Sequence, residues 1–469
     1  MKRLLSLCAV FTAVVVATGC GPKECSLDDP SSCESGLVCA PVESRERPLC
    51  ARPVQLEGKV FDLESGAGIE GALVAARDEN GAPVGEIVAT DAEGNYVLPV
   101  PSTRTDEQGT FVGKRVTLSA SASDYVRFPS GIRTALPVDT AEATRDADNQ
   151  PFVLGGAPVE IGLQPLPEAD RGQPSISGVV DFGDTLRSAL VVAESTSTSG
   201  LTRSSYASSD GAYTIFNVPA GTYRVRAYSR GINYDPVEPV TVADANVIDV
   251  DLASNAVATA TVSGSIQIVA TNGATSIILA VRSTFDPGSA RGEAPAGLRA
   301  PEPGVAPNLT GGSFTITGVP DGEYVALAAF ENDGLVRDPD TSLGGTDLQY
   351  VTVTNGTASA LEAFKVTDAV TLVGPGADAL EVVTSATPTF TWAKYPSTAQ
   401  YELFVFDSLG NQVDAQTVAS AGGGNASLTY AGQPLVPGGI YQWKVYAKDT
   451  GGTRISASED LRGVFQLAR

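Results

Sequence analysis

After Cys50 the chain carries short apolar runs only, and this restricts it to β-structure. Runs of Val, Thr, Ile, Leu and Tyr alternate with Gly, Asn, Asp and Pro. Nowhere in this part of the sequence does a helical apolar period persist for three turns, as an amphipathic helix would require. The 49 glycines and 30 prolines suit a chain with many turns. We therefore predict an all-β fold of tandem β-sandwiches behind a short disulfide-rich N-terminal segment.

One pattern of strands and turns occurs three times. Each copy begins with an alternating strand that contains a glycine, at residues 56–62, 176–180 and 262–266. Later in each copy a turn glycine stands two residues before an aromatic residue, which places that ring on the inward face of the next strand. In the last two copies a Val-Pro-x-Gly turn precedes another tyrosine. The tyrosines predicted to lie in the core are Tyr96, Tyr213, Tyr223 and Tyr324.

These motifs resemble the carboxypeptidase regulatory-like domain, a transthyretin-like β-sandwich. The resemblance covers residues 54–166, 172–254 and, more loosely, 258–368. The first copy departs from the family pattern in two places. An insertion replaces the Val-Pro-x-Gly turn of the other copies, and a long loop follows at 139–151. The third copy carries a Pro/Gly/Ala-rich insertion at 286–308. Loops of this length are either functional protrusions or disordered segments.

Residues 370–469 follow a different pattern. Trp392 lies early in this stretch, and residues 441–449 read Tyr-x-Trp-x-Val-x-Ala-x-Asp. The strict alternation places Tyr441 and Trp443 in register with a core face. This part resembles a fibronectin type III or related immunoglobulin-like sandwich. The resemblance implies that both tryptophans are core residues rather than platforms for stacking on sugars.

Four cysteines lie within residues 25–50, and no cysteine follows them. An even number in an oxidising compartment indicates two disulfides among Cys25, Cys33, Cys39 and Cys50. Three pairings are open, and we prefer the interlaced one, first with third and second with fourth. A four-cysteine zinc site is the alternative, although zinc sites favour closely spaced C-x2-C pairs. The segment resembles the short cysteine-rich knots behind the lipid anchor of myxobacterial-type surface lipoproteins.

The first twenty residues resemble a bacterial lipoprotein leader. Lys2 and Arg3 precede an apolar stretch at 4–16 that is too short to span a bilayer, and small residues then lead to Cys20. The resemblance implies removal of residues 1–19 and acylation of Cys20. We expect the protein to lie in the cell envelope, where the lipid would anchor it to the outer membrane.

Composition narrows the classes of function. The chain has no histidine and a formal net charge of −23. Without histidine, Ser-His-Asp and Cys-His nucleophilic systems and histidine zinc sites are excluded. The acidic excess argues against nucleic acid as a partner. We expect a protein that is not an enzyme.

Calcium is the one cofactor that the sequence suggests. Four aspartates lie in a glycine-rich stretch, and calcium prefers hard oxygen ligands on turns. Their spacing matches no EF-hand loop, so a solvated acidic loop is the preferred interpretation. The candidate ligands are Asp333, Asp338, Asp340 and Asp347.

The expected function follows from the leader and the sandwiches together. We expect an envelope lipoprotein whose sandwiches act as a stalk or binding module for adhesion or complex assembly. The alternative is a carbohydrate-binding lipoprotein of a polysaccharide uptake or degradation system. Polar or Pro-containing joins near 167–174 and 254–258 suggest linkers between separate, bead-like sandwiches.

Overall fold

Strands and tight turns make up the chain, with 50% of it in strands and 3% helical, which confirms the all-β prediction. The structure is a computed structural model. The leader, Cys20 and Asp333 lie outside the residues that it describes. Those residues are 23–26, 33–34, 36–43, 45–78, 81–106, 110–130, 135–183, 188–198, 200–269, 274–301, 309–328, 334–420 and 422–469. No helix among them is long and apolar enough to cross a membrane.

The N-terminal segment is a two-stranded hairpin held by two disulfides. Strands β1 (Val38–Ala40) and β2 (Leu49–Ala51) pair antiparallel. Cys25 is bonded to Cys39, and Cys33 to Cys50. The interlaced pairing preferred from the sequence is therefore the one that the structure contains.

This hairpin packs on the first sandwich through Arg104, which is 1% exposed. The Arg104 backbone N–H donates to the Pro41 carbonyl at 2.7 Å, and the Glu43 N–H donates to the Arg104 carbonyl at 2.9 Å. The Arg104 guanidinium also donates to the Arg52 carbonyl at 2.5 Å. A buried arginine therefore joins the disulfide-bonded hairpin to the first sandwich.

The first sandwich consists of two sheets, one with β3 at its centre and one of order β5-β4-β7-β9. Loop 139–151 is anchored here, because it begins with a 3-10 turn at Thr140–Glu142 and Thr144 then pairs with Val153. The strands are β3 (Val54–Asp62), β4 (Leu73–Arg77), β5 (Pro83–Ala89), β6 (Asn95–Val100), β7 (Arg115–Ser121), β8 (Tyr125–Val126), β9 (Val138–Asp139), β10 (Phe152–Gly155) and β11 (Ile161–Pro165). Two more 3-10 turns lie at Ala157–Val159 and Glu168–Asp170.

The second sandwich has a four-stranded sheet of order β14-β13-β16-β18 that faces the β12–β15 pair. Its strands are β12 (Ile176–Val179), β13 (Ala189–Ser195), β14 (Thr202–Ala207), β15 (Ala212–Ile215), β16 (Gly221–Tyr228), β17 (Asn233–Tyr234), β18 (Val237–Val242) and β19 (Ser254–Asn255). Strands β17 and β19 pair with each other and close the C-terminal end of this domain.

The third sandwich faces a sheet of order β23-β20-β27 with one of order β22-β21-β24-β25-β26. Its strands are β20 (Ala260–Val269), β21 (Ile277–Val281), β22 (Arg299–Ala300), β23 (Gly312–Val319), β24 (Gly322–Ala328), β25 (Gln349–Thr354), β26 (Thr357–Ala358) and β27 (Phe364–Thr367). A 3-10 turn at Arg282–Thr284 opens the insertion of this copy.

The fourth sandwich faces a sheet of order β28-β30-β33 with a larger sheet that contains β31 and β34. Trp392 and Trp443 lie in its core, at 0% and 1% exposure, as predicted. The Trp443 indole N–H donates to the Pro375 carbonyl at 2.8 Å. The strands are β28 (Leu372–Gly374), β29 (Glu381–Val383), β30 (Thr389–Ala393), β31 (Gln400–Asp407), β32 (Gln412–Ala419), β33 (Asn425–Thr429), β34 (Ile440–Lys448), β35 (Arg454–Ala457) and β36 (Val464–Leu467).

The first three sandwiches share one strand plan, as the sequence repeat predicts. In each, the first strand pairs antiparallel with the strand that carries the predicted inward aromatic residue: β3 with β6, β12 with β15, and β20 with β23. On its other edge the first strand pairs in parallel with the end of its own domain. The tyrosines of the Val-Pro-x-Gly turns are equivalent too: Tyr223 and Tyr324 each donate to a proline carbonyl four residues earlier, at 2.7 Å.

The glycine of each first strand is required by this plan. The Tyr96 hydroxyl crosses the strand at Gly58 to donate to the Val159 carbonyl at 2.5 Å. A Cβ at Gly58 would lie 2.1 Å from that carbonyl oxygen. In the second sandwich a Cβ at Gly178 would lie 2.2 Å from the Val250 carbonyl oxygen. Any side chain at these positions would displace the parallel end of the domain.

The sandwiches pack directly against one another. Asn217 of the second domain donates to the carbonyls of Ala122 and Tyr125 in the first, both at 3.0 Å. Tyr228 of the second domain and Tyr324 of the third stack edge to face at 5.9 Å between ring centroids, inside one continuous apolar cluster.

The segments that join the sandwiches are also hydrogen-bonded to the domains. In the join near 254–258, Asn233 of the second domain donates to the carbonyls of Val257 and Ala258, both at 3.1 Å. In the other join, the Gly172 N–H donates to the Asp124 carboxylate at 2.6 Å. The prediction of separate beads on linkers is therefore wrong, because polar and apolar contacts cross each boundary.

The glycine constraint gives a test inside one sheet. We expect Gly58→Ala to lower the free energy of unfolding by about 1–3 kcal/mol or more, because the added methyl overlaps a backbone carbonyl that cannot move alone. The matched control is Gly155→Ala on the neighbouring β10, where a Cβ would lie 3.5 Å from the nearest heavy atom. Urea denaturation followed by circular dichroism measures both, and equal midpoints for the two variants would contradict the explanation.

Candidate functional site

A cavity of about 930 Å³ lies where the sandwiches meet. Its described lining takes Arg127 from the first domain, Arg203 from the second, Glu293 from the third and Leu461 from the fourth. Its volume lies within the range of pockets that hold small ligands, which is roughly 300–1,000 Å³. It is therefore the candidate binding site of the chain.

The insertion of the third copy forms one wall of this cavity. Asp286 and Arg291 close a small loop through reciprocal backbone hydrogen bonds of 2.7 and 3.3 Å. The Val281 N–H donates to the Glu293 carbonyl at 2.9 Å, which ties the insertion to β21. The described part of the insertion, 286–301, is thus a structured wall that positions Glu293, while 302–308 lie outside the described residues.

Glu293 is the buried carboxylate at the meeting point of three domains, at 7% exposure. It pairs with Arg77 at 3.2 Å and makes a closer pair with Arg127. The Tyr206 hydroxyl donates to the same carboxylate at 2.9 Å, and the Arg77 guanidinium lies 5.3 Å from the centroid of the Tyr206 ring. One side chain of the third domain therefore binds two from the first and one from the second.

The surroundings of Glu293 retain positive charge. Burial lowers the pKa of Arg127 to about 10, and the charges of Arg77 and Arg203 act in the same direction. Burial also raises the pKa of the Tyr206 phenol, which keeps it a hydrogen-bond donor. At neutral pH the arginines stay protonated, so this side of the cavity is cationic in a chain whose net charge is −23.

A second buried carboxylate, Asp460, joins the third and fourth domains. It lies 2.8 Å from Lys444, 3.0 Å from Arg291 and 3.9 Å from Arg337. Burial would raise the pKa of Asp460, but these three cations hold it well below the usual range of a carboxyl. Arg291 and Arg337 also line the cavity, so both buried networks contribute to its wall.

The structure does not bring the calcium candidates together as a ligand set. Asp338 is fully buried and accepts hydrogen bonds from the N–H groups of Thr367 and, at 3.4 Å, Asp340. Asp340 accepts from the Ser342 N–H at 2.7 Å, and Asp347 is exposed. Of the described candidates, Asp338 and Asp340 therefore use their carboxylates to bind backbone N–H groups.

Among the described residues, the one set of three acidic or cysteine ligand groups close enough for a metal is Cys25, Cys33 and Cys50. These sulfurs are in disulfides. The described part of the chain therefore offers neither the predicted calcium ligands nor the alternative zinc site as a free ligand set.

The sequence analysis missed the cavity and its arginines. Its six lining arginines lie on separate strands and loops of three domains, so no local spacing marks them. They are Arg77, Arg115, Arg127, Arg203, Arg291 and Arg337. The insertion at 286–308 was the only feature that pointed toward this region.

No protein-family model matches the chain, and no curated protein matches it in sequence. Among solved structures, two B repeat units of the collagen-binding protein of Staphylococcus aureus share 11% identity over 88% of this chain and 98% of that one, with a TM-score of 0.18. The major pilin subunit of Bacillus cereus shares 11% identity over 67% and 95% of the two chains, with a TM-score of 0.18. A tetra-tandem repeat in the extending region of a large adhesion protein shares 14% identity over 86% and 97%, with a TM-score of 0.14. Similarities this low carry no argument about function.

The Glu293 network predicts a strong effect of one substitution. Glu293→Gln leaves the largely buried Arg77 and the partly exposed Arg127 without their counter-charge, so we expect it to lower the free energy of unfolding by about 3 kcal/mol. The control is Glu323→Gln, whose pair with Arg282 is about half exposed on both sides and contributes about 0–1 kcal/mol. Urea denaturation of the two variants compares them, and similar midpoints would show that Glu293 does not join the domains.

Asp338 predicts a pH dependence. Burial raises the pKa of Asp338 from the ordinary 3.8 to about 6. The folded state therefore holds this proton more tightly than the unfolded state does, and the free energy of unfolding falls as pH rises from about 4 to about 6. The size is about 3 kcal/mol, at about 1.4 kcal/mol per pKa unit.

We expect Asp338→Asn to flatten this part of the pH profile, since an amide has no proton to lose. Urea midpoints at pH 4, 5, 6 and 7 measure the effect. The exposed Asp347→Asn serves as the control and should keep the slope of the parent protein. An unchanged slope in Asp338→Asn would assign the dependence to other groups, such as Asp368, whose pKa burial also raises to about 6.

Proposed function

We propose that this chain is a lipid-anchored, non-enzymatic protein of the cell envelope, whose packed sandwiches form a binding body for adhesion or for assembly of an envelope complex. The observation that carries the proposal is the polar cavity where the domains meet, because a spacer would need no such site. The lipid anchor is inferred from the leader and Cys20. The outer membrane is the proposed location.

The domain families are part of this proposal. The common strand plan of the first three sandwiches supports the carboxypeptidase regulatory-like assignment at 54–166, 172–254 and 258–368. For 370–469, the three-stranded sheet facing the sheet of β31 and β34 supports the fibronectin type III assignment. Sandwiches of these kinds host many functions, so the site must carry the functional argument.

A carbohydrate-binding lipoprotein is the second candidate function. The cavity favours it, because its described wall combines guanidinium groups with the hydroxyls of Ser121 and Ser204 and the rings of Tyr125 and Phe285. Binding pockets typically combine apolar surface with a few convergent polar groups of this kind. In this version the sandwiches would hold a glycan beside the membrane.

The anchor is tested by metabolic labelling with a radioactive fatty acid in a bacterial host. We expect label in the parent protein and its loss in Cys20→Ala, since the thiol and the new amino terminus of that residue accept the lipid. Cys8→Ala is the matched control, because Cys8 lies in the leader that would be removed, and it should keep the label. Label that persists in Cys20→Ala would overturn the proposed anchor.

A further inference from the structure

We propose that the arginine-lined cavity binds an oligosaccharide that carries carboxylate groups. This inference rests on the proposed binding function and names the class of its ligand. It begins from a contrast of charge. The chain as a whole is strongly acidic, with a net charge of −23. Yet among the described lining residues six are arginines and four are acidic, so this wall is more cationic than the protein around it.

Four of these arginines have identified partners within the fold. Arg77 and Arg127 pair with Glu293, and Arg291 pairs with Asp460 at 3.0 Å, with Arg337 at 3.9 Å from the same carboxylate. These four keep the domains together. These four arginines share two carboxylates, Glu293 and Asp460, so they form the frame of the cavity and keep part of their positive charge.

Arg203 is different, because no described carboxylate lies within 4 Å of it. Its Nε donates to the Asn217 carbonyl at 3.0 Å, and its Nη1 donates to the Thr202 carbonyl at 3.1 Å. These two bonds fix the plane of the guanidinium, while no bond to a described residue occupies Nη2. A planar guanidinium held in this way is suited to a carboxylate.

Arg115 is the second lining arginine that has no ion pair with a described carboxylate. It opens β7 and lines the same cavity, its side chain is exposed, and it too has no ion pair with a described residue. Two arginines of one cavity, contributed by two domains, thus lack an ion pair with any described residue, and this indicates a ligand that supplies more than one negative charge. A chain of acidic sugar units has this property.

The remaining lining indicates a sugar rather than a simple anion. Phe216 and Phe285 present half-buried rings, and Tyr125 holds its ring in place by donating to the Asp62 carboxylate at 2.9 Å. Aromatic faces accept the C–H face of a sugar ring, and the hydroxyls of Ser121 and Ser130 can bond to sugar hydroxyls. An inorganic anion would use the arginines but neither of these surfaces.

The experiment is calorimetric titration of the full-length protein in detergent with tetragalacturonate. Its methyl ester is the matched ligand, since it keeps the sugar backbone and removes the charge. We expect the acid to bind and the ester to bind at least about 10-fold more weakly, because charged hydrogen bonds contribute about 1.5–3 kcal/mol each. Binding should weaken as salt is raised from 20 to 300 mM in the titration buffer, about the range over which screening becomes strong.

Variants assign the binding to the cavity. We expect Arg203→Gln and Arg115→Gln each to weaken binding by about 10- to 100-fold. Arg115 makes no side-chain hydrogen bond within the described fold, so its variant tests the site even if Arg203→Gln disturbs folding. The control is Arg224→Gln. Arg224 lies outside the cavity lining, and its guanidinium contacts the Glu238 carboxylate at 2.5 Å. This variant should bind like the parent protein.

Three results would overturn the inference: no heat of binding with tetragalacturonate at millimolar concentration, equal affinity for acid and ester, or inorganic phosphate binding as tightly as the acid. Tighter binding of a peptide with a free C-terminal carboxylate would do the same, since the ligand class would then be a protein. These outcomes leave the fatty-acid labelling of Cys20 untouched, so failure of the ligand class and failure of the anchored protein can be told apart.

Discussion

The carboxylate of Glu293 is the interaction on which the arrangement of the domains depends. It is buried at 7% exposure and satisfied by side chains of two other sandwiches. A buried carboxylate without partners is strongly unfavourable, and removing it would leave the largely buried Arg77 and the partly exposed Arg127 without their counter-charge. The first three domains are therefore held in one arrangement, and Asp460 adds the fourth by the same kind of contact.

Inside each repeat the controlling constraint is steric rather than electrostatic. The first strand must carry a glycine where the end of the domain crosses it, as at Gly58 and Gly178. In two repeats a tyrosine hydroxyl spans this crossing and satisfies a carbonyl of the terminal segment. The third repeat has Phe314 at this position, and its ring lies 2.7 Å from where a Cβ of Gly264 would be. The glycine and the aromatic residue thus work as a pair.

The steric packing inside each repeat and the ion pairs between domains together explain why the cavity exists. The second and third sandwiches share one apolar cluster, but where the four domains meet a space is left that apolar side chains do not fill. Polar side chains from the different domains converge in this space and balance part of their charge there. The charge that is left unbalanced, on Arg115 and Arg203 above all, is what a ligand would meet.

Local pattern was sufficient to predict the all-β class, the repeated strand plan and the core positions of Tyr96, Tyr213 and Trp443, since strand alternation and turn glycines act over a few residues. The cysteine count predicted two disulfides but left three pairings open, and the structure contains the interlaced one. The same reasoning wrongly separated the domains into beads. Arg77, Arg203 and Glu293 are distant in the sequence, and nothing in their neighbourhoods marks them as partners. Only the tertiary structure could bring them together, because the energy of a buried ion pair depends on contacts between domains and not on local sequence.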